Sequence, residues 1–131
     1  MMEVPARILA TEAAVSLVER LQHQHGPVMF HQSGGCCDGS APMCYPAGEF
    51  LVGTQDILLG RIGDDVPVWI GAAQFDYWRH TQVTIDAVPG RGAGFSLEGP
   101  EGLRFIVRSR VFTDDEVDAL EAAGEPERGA A

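Results

Sequence analysis

The sequence predicts a β-rich α+β domain with a mostly antiparallel sheet, one N-terminal helix and one C-terminal helix. The longer helical signatures lie at the two ends of the chain, at residues 11–24 and 114–123. Short apolar or alternating segments fill the chain between them. Parallel strands need long crossover connections, usually helices, and few residues here are predicted to be helical, so antiparallel pairing is favoured. Sixteen glycines and eight prolines among 131 residues supply the turns that such short strands need.

The first helix is predicted over residues 11–24. Thr11 is a suitable N-cap, and Gly26-Pro27 is a stop signal. Apolar residues repeat at helical spacing between these two signals: Ala14, Val18 and Leu21. Residues 6–10, just before the helix, are predicted to be either a first strand or an irregular approach.

The central part of the chain alternates between strand patterns and turns. Strands are predicted at residues 28–31, 49–54, 57–62, 66–71, 82–87, 95–97 and 103–111. Residues 73–80, which hold three aromatic side chains, are predicted to form one or two helical turns.

The last helix is predicted over residues 114–123, where Thr113 to Glu116 form a capping box. A single globular domain is therefore expected over residues 1–123, because the length leaves no room for a second core of ordinary size. Residues 124–131 are expected to form a disordered acidic tail.

Composition and charge exclude several classes of function. The net charge of −10 argues against nucleic-acid binding, which needs an excess of lysine and arginine. No segment approaches the ~20 continuous apolar residues of a membrane helix. The N-terminus lacks a basic region followed by an apolar run, so we expect no secretion signal and a cytoplasmic protein. Its three cysteines are then expected to be reduced.

The most informative segment is a glycine-rich loop that contains every cysteine of the chain. Cys36, Cys37 and Cys44 follow His31 with the spacing H-x4-C-C-x6-C. Thiolates and imidazoles are the ligands of zinc and iron, and cysteines hold iron–sulfur clusters. We therefore predict a metal or iron–sulfur site with these four residues as ligands. A further ligand is expected from His80 or from a second subunit.

Other interpretations of this loop remain open at the level of sequence. A glycine-rich turn can lower the pKa of a thiol, so Cys36 or Cys37 could be a nucleophile or a redox partner, with a histidine as base. Buried cysteines also occur simply as small apolar residues. A third alternative is a loop that docks on a protein partner.

The cysteine segment carries a resemblance to a bacterial protein family. Residues 31–40 with Pro42-Met43-Cys44, residues 70–78 and residues 94–98 resemble the family called domain of unknown function 779. Members of that family are often encoded beside aldehyde dehydrogenases. The resemblance implies an accessory role in aldehyde or alcohol oxidation, with an aldehyde dehydrogenase as partner.

A second, fainter resemblance is to the A-type iron–sulfur carriers with the HesB-like fold. Residues 33–39, Tyr77-Trp78, residues 84–86 and Gly94-Phe95 are similar to the corresponding carrier segments. Those carriers end in a Cys-Gly-Cys pair, whereas residues 105–110 here contain no cysteine. The resemblance implies a HesB-like fold, and any metal ligands would come mainly from the first loop and the histidines.

These observations together predict a non-enzymatic metal-binding accessory protein that associates with itself. The rival hypothesis is a small thiol-dependent redox or aldehyde-handling enzyme that uses Cys36 or Cys37.

Overall fold

A computed structural model describes residues 4–32, 42–48, 52–63, 65–90, 96–97, 101–124, 126 and 129 of the chain. Seven strands and three helices follow one another in these ranges. They are β1 (Ile8–Ala10), α1 (Glu12–His25), β2 (Val28–Gln32), β3 (Met43–Pro46), β4 (Asp56–Ile62), β5 (Val66–Gly71), α2 (Ala72–Trp78), β6 (Thr81–Pro89), β7 (Leu103–Val111) and α3 (Asp114–Ala123).

The strands form two sheets, and the predicted α+β class is confirmed. The three-stranded sheet has the order β1-β6-β7, and the four-stranded sheet has the order β3-β2-β5-β4. Three of the five pairings between described strands are antiparallel. The pairs β1–β6 and β2–β5 are parallel, so both sheets are mixed. The HesB-like resemblance stays a prediction.

The two terminal helices form where their capping residues predict them. The Thr11 hydroxyl accepts a hydrogen bond from the Ala14 N–H, and Gly26 ends α1 with its N–H bonded to the Gln22 carbonyl. The capping box of α3 is complete, since Thr113 and Glu116 each accept from the other's backbone N–H. Both signals act within one helical turn, which is why sequence alone reveals them.

Two predicted strands are wrong in the part that the structure describes. Residues 52–55 form no strand; the Gly53 carbonyl accepts from the Asp56 N–H in a turn. Ser96 and Leu97 are also outside any strand. The Ser96 hydroxyl and the Leu97 N–H bond instead to the backbone of Cys44, so this short segment lines the edge of β3.

The core lies between the two sheets and is closed by α1 and α2. Phe30 on β2 and Phe105 on β7 meet edge to face with ring centroids 4.8 Å apart, which joins the two sheets. Helix α1 contributes a fully apolar stripe to this core: Ala14, Leu17, Val18 and Leu21. Phe75 and Trp78 of α2 are buried as well.

The edge strands β1 and β4 approach each other where β4 carries a bulge. Gly60 has φ +156°, and a Cβ built there would lie 2.5 Å from Ile8 Cγ2. The register of β4 against β5 shifts between Leu58 and Gly60. Only glycine fits this close approach without displacing β1 or the bulge.

Candidate functional site

The strand that opens the cysteine loop directs alternate side chains to opposite faces of the four-stranded sheet. Phe30 belongs to the core between the sheets, so its neighbour His31 points to the other face. We call that surface the His31 face, and its residues follow from the strand registers: Met29, His31, Met43, Tyr45, Asp56, Leu58 and Trp69. His31 lies at the end of this face nearest the cysteine loop.

His31 forms a short polar contact with Asp56. The distance between His31 Nε2 and Asp56 Oδ1 is 2.7 Å, within the range of a charge-assisted hydrogen bond. The two residues belong to β2 and β4, which are separated by β5. The β5 residue opposite Asp56 is Gly71, which has no side chain to place between them. Sequence reasoning missed Asp56, since nothing in its local pattern marks it as a partner of a residue 25 positions away.

Both oxygens of the Asp56 carboxylate accept hydrogen bonds. Its Oδ2 accepts a 3.0 Å hydrogen bond from the Gly53 N–H, and the Asp56 N–H donates back to the Gly53 carbonyl. Burial alone would raise the pKa of Asp56, but the hydrogen bonds from Gly53 and His31, with the charge of His31, lower it below its usual value. The carboxylate is therefore ionised at neutral pH and fixed in orientation.

The pair is shielded from water. The His31 side chain is 5% exposed and that of Asp56 is 15% exposed. Because the ionised carboxylate can only accept, Nε2 carries the hydrogen that is donated to Asp56. A carboxylate partner of this kind fixes the orientation of a histidine ring, in metal sites and in acid–base pairs alike.

Cys44 lies on the opposite side of the sheet from His31. It pairs with Phe30 in the β2–β3 register, is fully buried and belongs to the core cluster. The structure thus does not bring Cys44 and His31 together, although only one register position separates them. This placement follows from strand alternation.

Cys36 and Cys37 lie outside the described residues, as do the loop glycines. The prediction that Cys36 and Cys37 are ligands therefore stays a prediction.

The described residues contain no complete metal site of the usual kind. Within the ranges given above, no three histidine, cysteine, aspartate or glutamate side chains converge in a way that could hold an ion. His80, the predicted further ligand, is exposed at the end of α2 and lines a small pocket with Arg7 and Arg79. Metal ligation by Cys36, Cys37, Cys44 and His31 stays a prediction.

Among the described residues, the space between the sheets is almost filled by side chains. The space lined by Gln32, Leu59, Ile85 and their apolar neighbours has a volume of about 10 Å³. That volume holds one water molecule at most. No helix in the described ranges combines the length and the apolar character that crossing a membrane requires.

Comparisons with known proteins place the chain in a family. No match was found among curated proteins or among solved structures. One family profile, described as a domain of unknown function (DUF779), matches residues 17–111. The matched segment includes β2, the cysteine loop, Asp56 and both sheets apart from β1. The chain therefore belongs to the DUF779 family.

Proposed function

We propose that this protein is a non-enzymatic metal-binding accessory protein whose site forms where the cysteine loop leaves the His31 face. The observation that carries the proposal is the 2.7 Å contact between His31 Nε2 and Asp56 Oδ1. Metal-ligating histidines almost always donate their second ring N–H to a carboxylate or carbonyl, which fixes the tautomer and the ring orientation. Here His31 has such a partner in Asp56, and His31 stands just before the loop that contains Cys36 and Cys37.

The ligands in this proposal are His31, Cys36 and Cys37, with Asp56 supporting the ring. Cys44 is omitted because its side chain lies in the core on the other face of the sheet. A set of one imidazole and two thiolates suits zinc, iron or a cluster, with a fourth position for another ligand.

Elemental analysis of protein purified without oxygen tests the proposal. We expect close to one transition-metal ion per chain, retained through gel filtration. The ion should be lost in Cys36→Ser/Cys37→Ser and strongly depleted in His31→Phe. Two matched controls should keep it: His80→Ala, which removes an exposed imidazole, and Cys44→Val, which removes a thiol from the core.

The proposal fails if the wild-type protein holds only traces of metal. It fails equally if metal content is the same in the wild type and in the Cys36→Ser/Cys37→Ser variant. Circular dichroism of each variant separates loss of ligands from loss of fold.

The partner in this proposal is an aldehyde dehydrogenase, and the family resemblance is what supports that choice. A direct test adds the metal-loaded protein to a purified bacterial aldehyde dehydrogenase. Activation or co-elution that depends on the loaded metal supports the accessory role. Equal behaviour with the metal-free variant contradicts it.

The same geometry favours a second candidate, a thiol-dependent enzyme. A carboxylate that orients an imidazole is also the arrangement that makes histidine a base for a cysteine nucleophile. This candidate requires an activated thiol. Alkylation rates of Cys36 and Cys37 measured against pH discriminate, because an unactivated cysteine reacts as thiolate only around its ordinary pKa of about 8.5.

A further inference from the structure

We infer that Gly129, far along the chain from the candidate site, clamps the turn that holds Asp56 and thereby controls how easily the proposed metal site opens. The effect on the metal rests on the proposed function, whereas the clamp itself is independent of any metal. The structure describes every residue that carries the inference: His31, Val52, Gly53, Asp56 and Gly129.

Gly129 is buried and bonded to the first residue of β4. Its N–H donates a 3.0 Å hydrogen bond to the Asp56 carbonyl. Strand β4 stands at one end of the strand order of the four-stranded sheet, so the bond is made to an edge strand. The last residues of a protein chain are usually poorly ordered unless a contact of this kind ties them down. The bond therefore fixes Gly129 beside the residue that orients His31.

Only glycine fits at position 129 without displacing its neighbours. A Cβ built there would overlap the Gly53 carbonyl oxygen and the Val52 Cγ1, and it would lie 3.1 Å from the Gly53 carbonyl carbon. Two of these three atoms belong to the backbone, which cannot turn aside as the end of a flexible side chain can. Since the φ of Gly129 is outside the left-handed region, the collision alone opposes a larger residue.

The turn that Gly129 contacts is the one that orients the Asp56 carboxylate. The Gly53 N–H donates to Asp56 Oδ2, and the Asp56 N–H donates to the Gly53 carbonyl, both at 3.0 Å. The other carboxylate oxygen, Oδ1, lies 2.7 Å from His31 Nε2. Gly129 thus contacts both ends of the turn. Because its release removes a contact at each end, the carboxylate that positions the ring becomes less firmly fixed.

Amide hydrogen exchange, followed by NMR on the metal-free full chain, measures the clamp. The two test variants are Gly129→Ala, which adds the colliding methyl group, and Gly129→Pro, which also removes the N–H donor. The matched control is Gly53→Ala. It adds a methyl group on the other side of the same contact, where a Cβ meets no atom within 4 Å.

We expect the Gly129 amide to be protected from exchange in the wild type and in Gly53→Ala. In both Gly129 variants the protection of the amides of residues 53 and 56 should fall about tenfold, the factor for one hydrogen bond of ordinary strength. Amides of β6 and β7, which belong to the other sheet, should keep their protection. This difference distinguishes local release of the turn from a general loss of stability.

Three results of the exchange experiment overturn the inference. The first is a Gly129 amide that exchanges as fast as an unprotected amide in the wild type. The second is unchanged protection of residues 53 and 56 in both Gly129 variants. The third is an equal fall of protection throughout both sheets, which would mean that Gly129 acts on global stability and not on the turn.

The rate of zinc release connects the clamp to the proposed site. Transfer of bound zinc to an excess of a chromophoric chelator should be about tenfold faster from Gly129→Ala than from the wild type, the lower end of the effect of losing a carboxylate partner of a histidine ligand. Gly53→Ala should release zinc at the wild-type rate. Equal rates in all three proteins overturn control of the site and leave the proposed function intact. A wild type that holds no metal contradicts the proposed function, while the exchange data still decide whether Gly129 clamps the turn.

Discussion

Replacing Asp56 by asparagine separates the role of the His31–Asp56 pair from that of ordinary packing. The carboxylate accepts two hydrogen bonds on different oxygens, from His31 Nε2 at 2.7 Å and from the Gly53 N–H at 3.0 Å. Asparagine has a single side-chain oxygen. One of the two donors must therefore face an amide NH2 group, which cannot accept.

The cost of this substitution follows from the burial of the His31 ring and the partial burial of Gly53. A buried donor left without an acceptor costs about 1–3 kcal/mol, and the remaining bond weakens when its acceptor loses its charge. We expect Asp56→Asn to lower the free energy of unfolding by about 2–3 kcal/mol. In a His31→Phe background the asparagine oxygen can serve Gly53 alone, so the same change should cost only about 1 kcal/mol.

The measurement is urea unfolding of the wild type, Asp56→Asn, His31→Phe and the double variant, which form a double-mutant cycle. A chelator keeps all four proteins metal-free. The predicted coupling energy between positions 31 and 56 is about 1–2 kcal/mol, with m-values unchanged. Equal costs of Asp56→Asn in both backgrounds would refute the reasoning. That result would mean that the ring and the carboxylate do not support each other in solution.

Two further predictions concern the frame around the site. Gly60→Ala should destabilise the protein by about 2–4 kcal/mol, because it combines an unfavourable backbone angle with a collision against Ile8. Gly48→Ala has a positive φ but open space, so thermal unfolding should reveal a smaller loss there, and equal losses would contradict the collision. Glu116 has its pKa lowered from 4.5 to about 2, chiefly by the hydrogen bonds from Arg110. The difference in free energy of unfolding between the wild type and Glu116→Gln should therefore be constant above pH 5 and shrink as pH falls from about 4.5 to about 2. Urea midpoints measured across this range test the prediction. A difference that does not change with pH would contradict the ion pair between Glu116 and Arg110.

Local signals in the sequence were sufficient to predict the two terminal helices and several strands. Caps and apolar spacing act over one or two turns, and α1 and α3 begin within one residue of the predicted positions. The strand predicted at residues 49–54 failed in its described part because Gly53 is committed to a turn with Asp56. Apolar residues in that segment suggested a strand. The hydrogen bond that favours the turn comes from Asp56, which lies outside the segment.

The candidate site was only partly accessible to sequence reasoning. The position of His31 before the thiols made it a candidate, but its partner Asp56 is distant along the chain, and their contact depends on β5 lying between their strands. Cys44 was grouped with the loop because of its spacing. Strand alternation after Met43 places it in the core instead, and that requires knowing that β3 begins at Met43.

The most direct test of the central claim is X-ray absorption at the edge of the metal bound to the wild-type protein. A site at the junction of the His31 face and the cysteine loop predicts a sulfur shell near about 2.3 Å together with an imidazole nitrogen shell near about 2.0 Å. The imidazole shell should be absent from whatever metal His31→Phe retains and should remain in His80→Ala. A spectrum with only light oxygen or nitrogen neighbours, or one unchanged by His31→Phe, would contradict the account.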